Sequence, residues 1–146
     1  MATVKSYFAE KLRFEIDPWG VEQLIGDGAR GYFLLDVRDR DAYAKGHVPG
    51  AFNAPIDSLH ASMGRIPKGS TIIVYCYNVA CFRAARAALE LAESGFPKVV
   101  EMVGGFAEWK MHGYKVEKGR RRDGRVRDDG AQRLNSIRQL SNRLEH

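Results

Sequence analysis

Thr71-Ile72-Ile73-Val74-Tyr75-Cys76-Tyr77-Asn78-Val79-Ala80-Cys81-Phe82-Arg83-Ala84-Ala85-Arg86 runs from an apolar, β-branched segment into a cysteine, through a short segment, and into an alanine-rich pattern continued by Leu89 and Leu91. Such an apolar run reads as a buried strand and the pattern after it as a helix. The order strand, loop, helix puts Cys76 at the carboxyl end of a strand, the edge at which open parallel sheets hold their ligands. Loop amides and the amino end of a helix starting near Cys81 then face the Cys76 sulfur, where the positive end of the helix dipole favours an anion. A thiolate is such an anion, and helix amino ends lower a cysteine pKa, so Cys76 is a candidate nucleophile. The competing reading is a small buried hydrophobe closing a core strand.

The chain has 146 residues, enough for one domain with a real core. No apolar run approaches membrane-spanning length. The amino end, Met1 to Phe8, lacks the apolar core of a secretory signal, so the expected location is the cytoplasm. Two cysteines are too few for a disulfide framework, and their close spacing points to redox or sulfur chemistry. Nor do two cysteines, without a histidine pair at ligand spacing, supply the four ligands of a structural zinc, so no metal is expected. The net charge of +5 is unevenly spread: residues 1–117 hold 14 basic and 14 acidic groups, whereas 118–146 hold 9 and 4. The body is neutral, and the basic pI belongs to an appendage.

Along the chain, Val4, Tyr7, Phe8, Leu12 and Phe14 suggest a short amphipathic helix lying against the body. Asp17-Pro18 is an N-cap with proline at the first helical position; Trp19, Val21, Leu24 and Ile25 mark a buried face, with Trp19 in the core, and the helix stops at Gly26. Tyr32 to Arg38 reads as a buried strand ending in charge, followed by a helical turn over Asp41 to Ala44 and a brief strand after His47-Val48-Pro49-Gly50. His47, with no acid, base or metal partner near in sequence, reads as a structural histidine holding this turn. A short helix over Leu59 to Met63, the Cys76 strand, a helix over 81–93 stopped by Gly95, a strand over Val99 to Val103, and a helix opened by Gly104-Gly105 complete the body. Strands alternating with helices make a doubly wound α/β layer. Beyond Val116, Lys118 to Arg125 is polar and basic, a flexible linker, and Leu134, Ile137, Leu140 and Leu144 share one side of a second helix from about Ala131 to Arg143. Leu144-Glu145-His146 resembles the junction of an expression tag.

Three stretches together resemble the rhodanese-like sulfurtransferase domain: Leu35-Asp36-Val37-Arg38 with Tyr43, Gly46 to Ala51 and Asn53-Ala54-Pro55; the Cys76 loop; and Gly104-Gly105-Phe106-Ala107-Glu108-Trp109 with Gly113-Tyr114. The resemblance implies a rhodanese-like domain over 1–117, with a basic tail over 118–146, and a five-stranded parallel sheet with helices on both faces. It implies sulfur transfer through a Cys76 persulfide without a cofactor, from a small anionic donor such as thiosulfate or a persulfide to a thiol or cyanide acceptor. Tyr77, Asn78, Val79, Ala80 and Cys81 would form the loop whose amides cradle the sulfur. Asp36 and Arg38 would brace it, and Arg83 and Arg86 would add positive potential or be solvated helix residues. Many family members carry a glycine where this chain has Val79. Cys81 is similar to the sixth loop position of a small single-domain subgroup with two loop cysteines.

Three other readings stand beside this one. Cys81 could resolve a Cys76 persulfide into a disulfide, making a sulfur reductase or redox sensor; the bland alternative is a packed thiol. A phosphatase on the same fold needs an arginine where this chain has Phe82. A non-catalytic docking module would use the basic tail to recruit an acidic protein partner. Nucleic acid is disfavoured, since the tail arginines lack interleaved aromatics.

Overall fold

The structure, a computed structural model, describes residues 2–120. Helix α1 (Val4–Phe14) leads into strand β1 (Glu15–Ile16), followed by α2 (Pro18–Gly26), β2 (Tyr32–Asp36), α3 (Arg40–Lys45) and β3 (Phe52–Asn53). Helix α4 (Leu59–Ser62), flanked by single 3-10 turns, precedes β4 (Thr71–Tyr75), α5 (Arg83–Glu93), β5 (Val99–Met102) and α6 (Gly105–Met111). The strands form one five-stranded sheet in the order β1-β5-β4-β2-β3. Every pair is parallel.

The central strand β4 explains the layering. Side chains of a strand alternate between faces, and β4 sends Ile73 and Tyr75 into one core and Ile72 and Val74, with Cys76 just beyond, into the other. The first core is closed by Val21 and Leu24 of α2 and by Phe106 and Trp109 of α6; the second by Leu59 of α4 and Ala84, Ala87 and Leu91 of α5. An unbroken apolar strand is therefore what a sheet covered on both faces requires. Each of its valines and isoleucines contributes about 1.5–3 kcal/mol through burial. Cys76 faces the α5 layer, which aims its sulfur at the start of that helix.

Local signals set the helix boundaries. The Asp17 carboxylate accepts from the Gly20 amide at 2.8 Å, with Pro18 in the first turn. Thr3 and Ser6 form a reciprocal cap at the start of α1. Two expectations need correction. Helix α1 forms, but none of its residues is buried: Val4, Tyr7, Phe8 and Phe14 are exposed, Leu12 is half-buried, and Lys11 pairs with Glu15 at 2.5 Å. Trp19 is 40% exposed rather than core, because Pro18, Val21 and Leu24 are the α2 residues that face the sheet.

His47 is fully buried, stacked on Tyr43 with centroids 3.7 Å apart, and its Nδ1 meets the Tyr43 carbonyl oxygen at 2.8 Å. Its backbone pairs in both directions with Glu117, whose carboxylate lies 3.5 Å from Nε2. This is the structural role expected of it. Of the segment from Lys118 onward, three residues are described, and the Gly119 amide donates to the Ala44 carbonyl at 2.9 Å. The rest of the basic linker and the helix expected near 131–143 lie outside the described residues.

Candidate active site

Cys76 follows the last residue of β4, and α5 begins seven residues later, at Arg83 rather than at Cys81. Both cysteines therefore belong to the loop. Within it, Asn78 does the turning: its side-chain oxygen accepts from the Ala80 amide at 3.0 Å and its carbonyl from the Cys81 amide at 3.1 Å. Among the described residues only glycines have positive φ, so the loop passes Val79 without the glycine common at that position. This turn also corrects the expected cradle. The Ala80 and Cys81 amides bond to Asn78, and it is the Tyr77 amide at the loop start and the Ala84 amide in the first turn of α5 that pull the Cys76 pKa down.

The loop is held from below by α6. The Phe106 amide donates to the Cys76 carbonyl and the Ala107 amide to the Tyr77 carbonyl, both at 2.9 Å. That approach is open because residue 105 has no side chain: a Cβ there would lie 2.6 Å from the Cys76 oxygen and 2.9 Å from the Asn78 nitrogen. Gly104 and Gly105 also take φ of 81° and 62°, a region costly for other residues.

The Asp36–Arg38 pair braces the same end of the sheet. Both are buried, and Arg38 Nε and Nη2 donate to the Asp36 carboxylate at 2.7–3.2 Å. Nη2 also donates to the Gly46 carbonyl at 2.6 Å, tying β2 to the turn after α3. The guanidinium stacks over Phe106 at 4.2 Å and lies 5.7 Å from the Tyr77 ring. Burial works against its charge, but the Asp36 hydrogen bonds and charge outweigh it, and the Arg38 pKa is raised. Asp39, which sequence reasoning passed over, caps α3 through the Ala42 amide and accepts a short hydrogen bond from the Tyr77 hydroxyl. Its signal was the capping aspartate before α3; the pairing with Tyr77 joins residues 38 positions apart and has no local signature.

The two thiols differ in a way the sequence did not suggest. Cys76 is 2% exposed. Its thiol donates to the Cys81 carbonyl at 3.3 Å. Burial first, and the Cys81 hydrogen bond second, push its pKa up to about 11 against the pull of the Ala84 and Tyr77 amides. At Cys76, burial thus works against the thiolate that the helix end favours. Burial would raise Cys81 as well. However, the hydrogen bond with Cys76, the Arg83 and Tyr77 amides and the Arg83 guanidinium, 3.9 Å from its sulfur, carry its pKa below the ordinary value. Cys81 also lines an open cleft of about 460 Å³ with Tyr77, Asn78, Ala80, Phe82, Arg83 and Arg86. The sulfur poised to ionise faces the solvent cleft, and the sulfur nearer the strand sits behind it.

The chain is similar to known proteins. A sulfurtransferase of Allochromatium vinosum is 29% identical over 102 residues, covering 70% of this chain and 92% of that protein. The thiosulfate sulfurtransferase GlpE of Coxiella burnetii is 32% identical over 83 residues, 57% of this chain and 76% of its own length. The crystal structure of BH2092 protein from Bacillus halodurans superposes with a TM-score of 0.75 at 33% identity, over 78% of this chain and 83% of that one. The family model of the rhodanese-like domain matches residues 20–112, from α2 through α6. That match spans more than half of the sequence, and the chain belongs to the rhodanese-like domain family.

Proposed function

We propose that the protein is a sulfurtransferase that carries sulfane sulfur as a Cys76 persulfide, from a thiosulfate- or persulfide-type donor to a thiol or cyanide acceptor. The observation that carries this reading is Cys76 at the carboxyl end of β4, on a loop whose Cys81 lines an open cleft with Arg83 and Arg86. Relatives named as sulfurtransferases support it.

In this reaction Cys76 first gives up its proton. The thiolate attacks the outer sulfur of the donor, the donor S–S bond breaks, and with thiosulfate the sulfite leaves with the electron pair. The terminal sulfur of the persulfide carries negative charge, which amides fixed in advance stabilise as they do an oxyanion. An acceptor thiolate or cyanide then attacks that terminal sulfur and Cys76 departs as a thiolate. The two arginines raise the local concentration of anionic donors. Tyr77, Asn78, Val79, Ala80 and Cys81 shape the mouth, and Asp36 and Arg38 hold the strand end from which it hangs.

The test is thiocyanate formation from thiosulfate and cyanide. The protein turns over, and Cys76→Ser, which keeps size and loses the nucleophile, does not. Full turnover by Cys76→Ser overturns the assignment.

A further inference from the structure

We infer that Cys81 is a resolving thiol: in the absence of an external acceptor it converts the Cys76 persulfide into a Cys76–Cys81 disulfide and releases hydrosulfide. This deepens the sulfurtransferase reading and rests on it. Four features lead there independently of that reading.

The two residues share one loop, closed by the Asn78 turn, so their separation is set by hydrogen bonds at 3.0 and 3.1 Å rather than by chance encounter. The two residues touch: the Cys76 thiol donates to the Cys81 carbonyl at 3.3 Å, and Cys81 packs against the apolar cluster that contains Cys76. Access is unequal, since Cys81 lines the cleft while Cys76 is 2% exposed. The charge is unequal too, with the Arg83 guanidinium 3.9 Å from the Cys81 sulfur and its pKa lowered. A packed structural thiol would be a protonated, buried neighbour; Cys81 is half-buried, open to solvent and beside a cation.

The step balances. The Cys81 thiolate attacks the inner sulfur of Cys76–S–SH, a new S–S bond forms between the two cysteines, and the bond to the outer sulfur breaks. That sulfur leaves as HS⁻ with the electron pair, reduced from the sulfane state, while the cysteine pair is oxidised to the disulfide. Return to the dithiol requires an external dithiol reductant, which attacks the sulfur nearer the cleft, that of Cys81. The same protein then transfers sulfur when an acceptor is abundant and reduces it to sulfide when a dithiol is the only other reactant.

The experiment uses the full chain, reduced, desalted and given one equivalent of thiosulfate without acceptor. Both cysteines fall in one tryptic peptide, Gly69–Arg83, so the products separate by mass. The inference expects that peptide to lose two hydrogens, reversibly with a dithiol, with about one equivalent of sulfide released; Cys81→Ser forms no disulfide and releases no sulfide. If the unsubstituted chain retains the extra sulfur on a peptide without the disulfide, the inference is overturned and sulfur transfer stands. If the chain takes up no sulfur, releases no sulfide and makes no thiocyanate, both fail. The peptide mass of the unsubstituted chain decides the matter even where Cys81→Ser does not fold.

Discussion

Replacing Gly105 by alanine tests the link between the α6 turn and the cysteine loop. The added Cβ would stand 2.6 Å from the Cys76 carbonyl oxygen, where ordinary contact begins at 3.4 Å, so backbone must give way by about 0.8 Å. The obstructing atoms are main chain, held by two hydrogen bonds at 2.9 Å, and cannot swing aside like a side-chain tip. Alanine at φ 62° costs about 1–2 kcal/mol in backbone strain. Distorting the two amide bonds adds about 1 kcal/mol each. The sum is about 3–4 kcal/mol, a fall in Tm on the order of 10 °C for a domain of this size. Misplacement of a reacting group by about 1 Å costs on the order of 10²-fold in rate, so kcat for thiocyanate formation should fall about that far in the fraction that remains folded. Gly113→Ala is the control. Its φ is 72° but a Cβ there meets nothing within 4 Å, so it bears the strain alone, about 1–2 kcal/mol, with turnover intact. Urea unfolding and steady-state kinetics on both variants decide it. A Gly105→Ala protein that matches Gly113→Ala in both measurements would refute the reasoning.

Four further outcomes follow from the same geometry. Brief alkylation by iodoacetamide near neutral pH should modify Cys81 before Cys76, read from fragment ions of the shared peptide; the reverse order would mean the charge sits on the inner sulfur. With its folded pKa raised, the Cys76 thiol stabilises the fold fully below the unfolded value of about 8.5, and that contribution fades as pH rises toward about 11; denaturation midpoints across this range, compared with Cys76→Ser, measure it. Cys81, with its pKa lowered, acts in the opposite sense, stabilising above the unfolded value and losing that contribution as pH falls. Asp36→Asn leaves the buried Arg38 charge without its partner and should destabilise by about 3–5 kcal/mol, with much of it regained in Asp36→Asn/Arg38→Met, as seen by urea titration. Ending the chain after Arg120, so that the Gly119 bond to Ala44 is kept, should leave kcat/KM for sulfur transfer unchanged; a lost activity would make the basic segment part of the machinery.

How far the sequence led depends on the range of the interactions. The β4 run, the Asp17-Pro18 start of α2 and the Gly104-Gly105 pair are decided by neighbours within a turn, and each appears where its residues indicated. Strand β1 has only two residues, too few to show a period, and exists because Glu15 and Ile16 register against Glu101 and Met102. Trp19 and the α1 apolar residues misled because helical spacing says which side chains share a face, not whether another element covers it. For the candidate site, the position of Cys76 after β4 and the pairing of Asp36 with Arg38 are where the sequence put them, whereas the unequal surroundings of the two cysteines have no local signature. Helix polarity favours a thiolate at either sulfur. Which one carries it depends on burial and on a guanidinium 3.9 Å from Cys81, both products of packing.

The sheet's two flanking strands are each a single pair of residues long, Glu15–Ile16 on one side and Phe52–Asn53 on the other. A foreign segment seeking to extend the sheet sideways would find a ledge too narrow for a stable ladder, and on the β1 side one that presents a carboxylate. The five-residue apolar ribs at the centre are thereby kept from templating their own kind, so the molecule can carry an uninterrupted β-branched run at its heart without inviting fibre growth.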